Sequence, residues 1–294
     1  ANISGVTSLD VNSKSISDLT GIEGFTALTD LDCGGTDSTA NQLTSLDVSA
    51  NTALTTLYCH NNQLTSLDVS SNTALTNLNI GGGSQSQIST LDVSNNTALT
   101  ELNTQDIMFL TSLDVSANTA LTNLTVGNCQ LTSLDVSTNT ALTTLQCGDN
   151  PITSLNLSGA TALTHLYCKT NKDNSLTSLD ISTNTALIYL DLEDNQLTSL
   201  DVSNNTNLTG LALNYNQLTA LDVSNNTALI NLECQTNQLT SLDVSNNTLL
   251  TRIECNANQL TSLDVSANTA LTSLSCFSNQ LTSLDLSANT ALTF

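Results

Sequence analysis

Apolar residues recur along the whole chain with a period of about 21 residues. A representative unit, residues 54–74, reads LTTLYCHNNQLTSLDVSSNTA, with apolar side chains at positions 1, 4, 6, 11, 14, 16 and 21. Positions 4 and 6 alternate as in a short strand with one buried face, and positions 14 and 16 repeat that spacing as a second extended segment. Two extended segments and two turns leave no room for a two-turn helix. The pattern predicts a mostly β solenoid with little or no helix, in which coils bury their leucines by stacking.

The register of the coils predicts the domain organisation. Each coil is named here by its first residue, and the coils begin at Leu28, Leu54, Leu75, Leu99, Leu121, Leu142, Leu163, Leu187, Leu208, Leu229, Leu250 and Leu271. A fragment follows from Leu292. We expect an irregular first repeat over residues 1–27 and about twelve repeats over residues 28–294, with truncation of a longer protein at the C-terminus.

Four coils are longer than the rest, and their extra residues are predicted to form loops that can carry binding function. The insertions lie at residues 34–40, 81–87, 104–109 and 172–175. The third runs into the apolar stretch DIMFL, residues 106–110. We expect Met108 or Phe109 to pack over the core there.

Charge excludes several classes of partner. Twenty-six acidic and four basic residues give a formal net charge of −22. A chain this acidic is repelled by nucleic-acid phosphates and by anionic lipid. Aromatic residues make up only 3%, a composition typical of disorder, but the periodic leucines can build a core. No apolar run approaches the ~20 residues of a membrane span, so we expect no membrane insertion. We also expect the protein to be a monomer in solution.

The repeat pattern LxxLxL/CxxNxL is that of the leucine-rich-repeat family. ISDLTGIEGFTALTDL, residues 16–31, resembles the first repeats of bacterial internalins. The 21-residue units with Cys at position 6 and LDVSxNT afterwards are similar to the internalin-J-like subgroup of bacterial surface proteins. The resemblance implies a secreted or cell-surface protein with a parallel sheet on its concave face. It also implies recognition of protein or glycan ligands rather than catalysis.

Seven of the eight cysteines form a column at position 6: Cys33, Cys59, Cys147, Cys168, Cys234, Cys255 and Cys276. The other coils place Ile80, Thr104, Val126, Leu192 and Leu213 there. A position that exchanges Cys with Ile, Val and Leu is a core position. Parallel Cβ vectors disfavour bridging between neighbours, so free thiols are predicted, without a metal. Cys129 stands at position 9, where it replaces the usual Asn as a weak hydrogen-bonding group.

Aspartate forms a second column, at position 15, broken only by Asn156: Asp10, Asp47, Asp68, Asp92, Asp114, Asp135, Asp180, Asp201, Asp222, Asp243, Asp264 and Asp285. Stacked carboxylates about 5 Å apart repel one another. One interpretation is that hydroxyls and N–H groups of the neighbouring Ser and Thr residues offset this repulsion. The alternative is that the column collects calcium, which takes several oxygen ligands. No other cofactor is expected.

The residues vary most from coil to coil at positions 3, 5, 7 and 8, which point away from the core beside each strand. In this fold these positions form the concave face, through which we expect the ligand to bind. All tyrosines and histidines stand at these positions, and tyrosine is enriched at binding sites. The three coils from Leu163 to Ala228 carry a candidate patch: His165, Tyr167, Lys169, Tyr189, Asp191, Glu193, Asp194 and Tyr215. The following coils add Glu233, Arg252, Glu254 and Phe277. The competing interpretation is that exposed strand positions tolerate any residue.

No enzyme is predicted. A nucleophile needs a base within hydrogen-bond reach, but the two histidines are five coils apart and the cysteines face inward. Asp191 with Glu193 or Asp194 could form a carboxylate pair, but an open face lacks the desolvation that raises one pKa. The sequence favours a recognition module for a protein or glycan, with a structural spacer that has no specific ligand as the alternative.

Overall fold

The computed structural model describes residues 3–36, 39–82, 85–170 and 175–293. The chain divides into two compact units, Ala1–Ile152 and Thr153–Phe294, which are described in turn. The insertion at 104–109 lies wholly within the described residues. Residues 37–38, 83–84 and 172–174, in the other three insertions, lie outside them.

Unit 1 is a stack of short parallel strands. They are β1 Ser8–Asp10, β2 Asp30–Asp32, β3 Thr56–Tyr58, β4 Asn77–Asn79, β5 Glu101–Asn103, β6 Asn123–Thr125, β7 Ser133–Asp135 and β8 Thr144–Gln146, with a 3-10 turn at Ile22–Gly24. Strands β1 to β6 and β8 pair in parallel in that order, with the central leucine of each strand opposite that of the next. This in-register stacking is what a constant repeat length dictates.

Unit 2 is also a stack of short parallel strands. Its strands are β9 Ser154–Asn156, β10 His165–Tyr167, β11 Tyr189–Asp191, β12 Gly210–Ala212, β13 Asn231–Glu233, β14 Arg252–Glu254 and β15 Ser273–Ser275. From β10 to β15 each strand pairs in parallel with the next, again leucine opposite leucine or isoleucine. The predicted leucine-rich-repeat solenoid, mostly β with a parallel sheet, is confirmed.

The second half of each coil is less regular than the sequence predicts. It is a strand only at β7 and β9, and elsewhere it carries isolated backbone bonds such as Gln217 N to Leu197 O at 2.9 Å. Its Asp side chain accepts the amide of the residue two positions on, as Asp222 does from Ser224 at 2.9 Å. The coils with β7 and β9 make the same turn, at Asp135 and Asn156. The sequence prediction of a second extended segment therefore holds as a paired strand in only two coils.

Two columns of buried asparagine tie adjacent coils together. At position 9, Asn216 donates to Leu192 O at 2.9 Å and Leu213 O at 3.1 Å, and accepts from Leu197 N at 3.0 Å. At position 19, Asn226 donates to Val202 O and Asn205 O, both at 2.9 Å. The expectation that these amides satisfy backbone groups at the bends is confirmed. Cys129 in the first column reaches Thr104 O at 3.3 Å, as expected.

The insertion at 104–109 corrects one expectation. Met108 and Phe109 are 42% and 54% exposed, whereas Ile107 and Leu110 are fully buried. The Leu110 amide donates to Ile107 O at 3.0 Å. This turn points its first and last residues into the core and the two between them outward, so the prediction that Met108 or Phe109 packs over the core is wrong.

The cysteine column lies in the core as predicted. All eight cysteines are free thiols, seven buried and Cys276 half-buried. Burial raises the pKa of the Cys33 and Cys255 thiols to about 12 and that of the Cys129 thiol to about 11. Buried thiols that stay protonated behave as small hydrophobic groups rather than nucleophiles.

Thiol titration checks this arrangement. In the native protein at pH 8, we expect at most one of the eight thiols, that of Cys276, to react with a disulfide reagent within minutes. All eight should react in guanidinium. The Cys276→Ser variant should show no fast native thiol. Several fast thiols in the native state, or fewer than eight in the unfolded state, would contradict the free, buried column.

Candidate ligand-binding face

An aromatic row crosses strands β10 and β11 on the outer face of the sheet in unit 2. The rings of His165 and Tyr167 stack with centroids 6.3 Å apart, and those of Tyr167 and Tyr189 lie 5.3 Å apart at 35°. All three side chains are half-buried. Their positions follow from the register, because Tyr189 pairs with His165 and Asp191 with Tyr167. The coils thus bring three of the predicted residues into one continuous aromatic surface.

Strand β12 forms a low floor beside this row. Gly210 pairs with Tyr189, and a Cβ atom on Gly210 would come within 2.6 Å of the Tyr189 ring atom Cδ2. Ala212 is 4% exposed because it lies between Asp191 and Glu233 on the flanking strands. Glycine within a strand marks close approach of a neighbouring group. Here the absence of a side chain lets the Tyr189 ring lie across the sheet.

Fixed charges border the aromatic row on the side where the strands end. Lys169 pairs with Glu193 and lies 3.7 Å from Asp194. Asn214 bridges the carboxylates of Glu193 and Glu233, reaching Glu233 Oε2 at 3.2 Å. Arg252 continues the network to Glu233, at 3.6 Å, and to Glu254. The two groups of charged residues in the sequence thus form one connected network through Asn214.

Burial acts on the ionisation of this network. Burial raises the pKa of the Asp191 carboxyl, and the charge of Glu193 raises it further. The charge of Lys169 acts in the opposite direction but does not cancel these effects. Burial and the Glu254 carboxylate raise the pKa of Glu233, against the opposing effect of Arg252. The hydrogen bond to Glu193 raises the pKa of Lys169. A raised carboxyl pKa means that this setting disfavours the ionised form, which a cationic neighbour would stabilise.

Tyr215 lies apart from the other patch residues. It occupies position 8, where the chain leaves the sheet, with a φ of 55°, and it is 48% exposed. Among the described residues, no ring contact joins it to Tyr167 or Tyr189. Asn and Asp accept this left-handed conformation more readily than Tyr and fill the same position at Asn61, Asp149 and Asp194. The scaffold alone therefore gives no reason for a tyrosine here.

Unit 1 has a smaller aromatic feature. Tyr58 and His60 meet edge to face with centroids 6.5 Å apart, and the His60 ring covers Gly34. Beside Tyr58, Asn79 and Glu101 line a shallow depression of about 160 Å³. This unit lacks, among its described residues, an ion-paired network like that of unit 2, so the candidate face is assigned to unit 2.

The aspartate column is engaged in turns. Every Asp of the column from Asp47 to Asp285 accepts the amide of the serine two residues on at 2.8–2.9 Å. Hydrogen bonds of this kind lower the pKa of the Asp68, Asp222 and Asp264 carboxyls, among others. The assignment of Asp10 to this column is wrong, because Asp10 lies in β1 and pairs with Asp32 in the main sheet. The hydrogen-bonding interpretation of the column is confirmed. In the described part of the chain, no three His, Cys, Asp or Glu side chains are grouped so that they could hold a metal ion.

The alternative interpretation, that the column binds calcium, has a simple test. Because one oxygen of each carboxylate is already bonded to an amide, we expect the same Tm in calcium chloride and in chelator. A rise of several degrees in calcium would instead favour the calcium interpretation.

Replacing Asp191 by Asn is expected to raise stability at pH 7. Asn keeps an oxygen for the Glu193 amide, 3.1 Å away, and removes a buried charge among carboxylates. Because the folded pKa of Asp191 lies above the unfolded value, its favourable contribution is complete below about pH 3.9 and lost as pH rises through the folded pKa. The gain in Asp191→Asn should therefore shrink as pH falls toward 3.9, in urea unfolding.

Asp222→Asn is the matched control for this prediction. The pKa of Asp222 is lowered, so its stabilising contribution is present above about pH 3.9 and lost below it. This variant should gain nothing at pH 7. Equal effects of the two substitutions at pH 7 would contradict the account of the Asp191 environment.

Among the described residues, the helical structure is confined to the three-residue 3-10 turn at Ile22–Gly24, so none of their helices could span a bilayer. No sequence-family model matches the chain, and no curated protein matches it by sequence.

Stacked coils, a parallel sheet and asparagine columns define a leucine-rich-repeat protein. The functional domain of InlJ from Listeria monocytogenes, which includes a cysteine ladder, is 39% identical and superimposes with a TM-score of 0.81. The match covers 99% of this chain and 67% of that one. The chain therefore belongs to the internalin family of leucine-rich-repeat proteins, and the InlJ-like resemblance seen in the sequence is confirmed.

Two further structures share the fold. The internalin InlF of Listeria monocytogenes matches at 25% identity with a TM-score of 0.84, over 99% of this chain and 86% of that one. LIC12759 of Leptospira interrogans matches at 22% identity with a TM-score of 0.83, over 98% and 76%. The latter likeness shows the fold alone.

The structure adds residues that sequence reasoning did not assign. Gly210 and Ala212 form the floor, and Asn214 joins the two charged groups. A glycine at a strand position that carries a polar or larger side chain in every other coil was the available signal for the floor. The sequence carried no signal for Asn214, because Asn occurs throughout the repeat.

Proposed function

We propose that this chain is a secreted or cell-surface recognition module that binds a protein ligand on the outer face of the sheet in the three coils from Leu163 to Ala228. The contacting residues are His165, Tyr167, Lys169, Tyr189, Asp191, Glu193, Asp194 and Tyr215. The observation that carries the proposal is the half-buried aromatic row of His165, Tyr167 and Tyr189 beside the ion-paired Lys169 and Glu193.

Pre-organisation supports binding by this face. Tyr167 and Tyr189 are held against each other, and Lys169 is held by Glu193 and Asp194, so little side-chain freedom is left to lose on association. Tyrosines that are fixed but partly exposed are typical of residues that dominate binding energy. The rigid coil stack supplies the backbone on which they stand.

A glycan is the second candidate ligand, favoured by one observation. The paired rings of Tyr167 and Tyr189 present a surface on which an apolar sugar face could lie. The connected carboxylates around Asn214 favour a protein instead, because lysine and arginine of a partner can pair with them. We therefore rank protein before glycan.

We assign no catalytic step to this face. His165 Nδ1 lies 2.9 Å from its neighbour Thr164 Oγ1, and the thiol of Cys168 on the same coil is buried in the core. Burial raises the pKa of the Cys234 and Cys255 thiols further along the column. A buried thiol that stays protonated is not a nucleophile. The alternative is that the chain is a structural spacer without a specific ligand.

The test is a screen of the intact chain against protein and glycan arrays, repeated with Tyr167, Tyr189 and Tyr215 all changed to Ala. Loss of such residues costs on the order of 2 kcal/mol or more, about thirtyfold in Kd. Tyr58→Ala, in unit 1, is the matched control and should bind like the parent. Unchanged binding by the three-tyrosine variant would refute the patch. The absence of any ligand for the parent would favour the spacer.

A further inference from the structure

A row of exposed aliphatic side chains lies along the edge where the strands of unit 2 begin. Position 2 of the coil is Thr except at Ile188 and Ile230, and position 21 is Ala except at Asn207 and Leu249. Ile188, Ile230 and Leu249 are 38%, 41% and 55% exposed. All three apolar replacements at positions 2 and 21 therefore fall within residues 188–249, in and next to the coils that carry the patch.

The scaffold has a use for the threonine that these residues replace. Thr209 Oγ1 donates to Ile188 O at 3.2 Å, and Thr251 Oγ1 donates to Ile230 O at 3.3 Å. The same bond joins Thr76 to Thr55 in unit 1. Isoleucine cannot donate, so each replacement gives up a bond between coils and exposes an apolar side chain to water. Neither change helps the fold, which points to a use outside it.

The aliphatic row and the charged network border the same strip of sheet. Ile188 directly precedes Tyr189, and Asp191 and Glu193 follow on the same coil. At 3.3 Å per residue, Asp191 lies about 10 Å along the strand direction from Ile188, and Glu193 lies beyond it. Ile188 and Ile230 are two coils, or about 10 Å, apart across the strands.

The network is acidic overall. Its members between residues 169 and 254 are the acids Asp191, Glu193, Asp194, Glu233 and Glu254 and the bases Lys169 and Arg252. Five acids against two bases leave a net charge of 2 − 5 = −3 on one side of the strip. A partner that covers the strip meets carboxylates on one side and aliphatic groups on the other.

We propose that this strip binds a segment of a partner protein that carries aliphatic side chains along one side and lysine or arginine along the other. The aliphatic side packs on Ile188, Ile230 and Leu249, and the basic side pairs with the carboxylates around Asn214. This inference rests on the proposed function and adds the chemistry of the ligand. It also widens the footprint toward the beginning of the strands.

The variant Ile188→Thr/Ile230→Thr/Leu249→Ala tests the row, because it restores the residues that the other coils carry. The probe is a labelled 18-residue peptide of Leu and Lys with Leu along one helical face, measured against the intact chain by fluorescence anisotropy. A peptide of the same composition in scrambled order controls for charge attraction alone. Leu286→Ala, which removes an apolar side chain 39% exposed elsewhere in unit 2, is the control variant.

We expect the restored variant and the scrambled peptide each to weaken binding about tenfold or more, with Leu286→Ala unchanged. Circular dichroism should show the restored variant melting no lower than the parent, since it regains the threonine bonds. Equal affinity of parent and restored variant, equal affinity of the two peptides, or no binding of the amphipathic peptide would each overturn the inference.

The array ligand separates this inference from the proposed function. If the restored variant binds that ligand like the parent while the three-tyrosine variant does not, the aliphatic row is wrong and the proposed function stands. If neither variant loses affinity, the patch itself is wrong.

Discussion

Replacing Asn226 by Asp should lower the free energy of unfolding by at least about 3 kcal/mol at pH 7. The amide is fully buried and donates to Val202 O and Asn205 O, both at 2.9 Å. An ionised carboxylate of the same shape would face two carbonyl oxygens without a proton to offer and without water. Urea unfolding followed by far-ultraviolet circular dichroism measures the loss.

The pH dependence of this variant gives a second readout. Burial would raise the folded pKa of the introduced Asp above its unfolded value of about 3.9. The loss in the free energy of unfolding is then smallest below about pH 3.9 and grows as the pH rises through the folded pKa. The variant should therefore be closer to the parent in stability at acid pH.

Asn225→Asp is the matched control, because Asn225 is the exposed neighbour of Asn226 and reaches only Ser203 O at 3.4 Å. It should change stability by no more than about 0.5 kcal/mol. Similar losses in both variants would contradict the role assigned to the position-19 column.

Leu250→Ala should destabilise the protein by about 2–5 kcal/mol, whereas Leu249→Ala should stay within about 0.5 kcal/mol. The two leucines are adjacent, but Leu250 is fully buried and Leu249 is 55% exposed. Truncation at Leu250 leaves a cavity between stacked coils that cannot close, because the neighbouring coils share one register. The same urea experiment measures both, and equal losses would contradict the assigned register.

Periodicity predicts most of the scaffold. Leu250, the cysteine column and the asparagine columns lie where the 21-residue register places them, because each coil must match its neighbours. The second strand of each coil could not be predicted in the same way. Alternating apolar residues fix which side chains point inward, but they do not specify whether the backbones of neighbouring coils come close enough to form a ladder.

The candidate face could be predicted only in part. Register places Tyr167 and Tyr189 on neighbouring strands, so their proximity follows from the sequence. The register does not give the direction of each side chain. The Tyr189 ring lies across Gly210 and Tyr215 lies apart on a turn, and neither could be predicted from the register. Phe109 shows the same limit, because its hydrophobicity suggested burial and the local turn points it outward.

The four tyrosines allow a direct test of the central claim, that the ligand binds the sheet face of unit 2. Hydroxyl-radical footprinting of the chain with and without an array ligand reports the accessibility of each ring. Binding should protect Tyr167, Tyr189 and Tyr215 and leave Tyr58, in unit 1, unchanged. Protection of Tyr58 alone, or no change at any tyrosine on saturation with the ligand, would contradict the account.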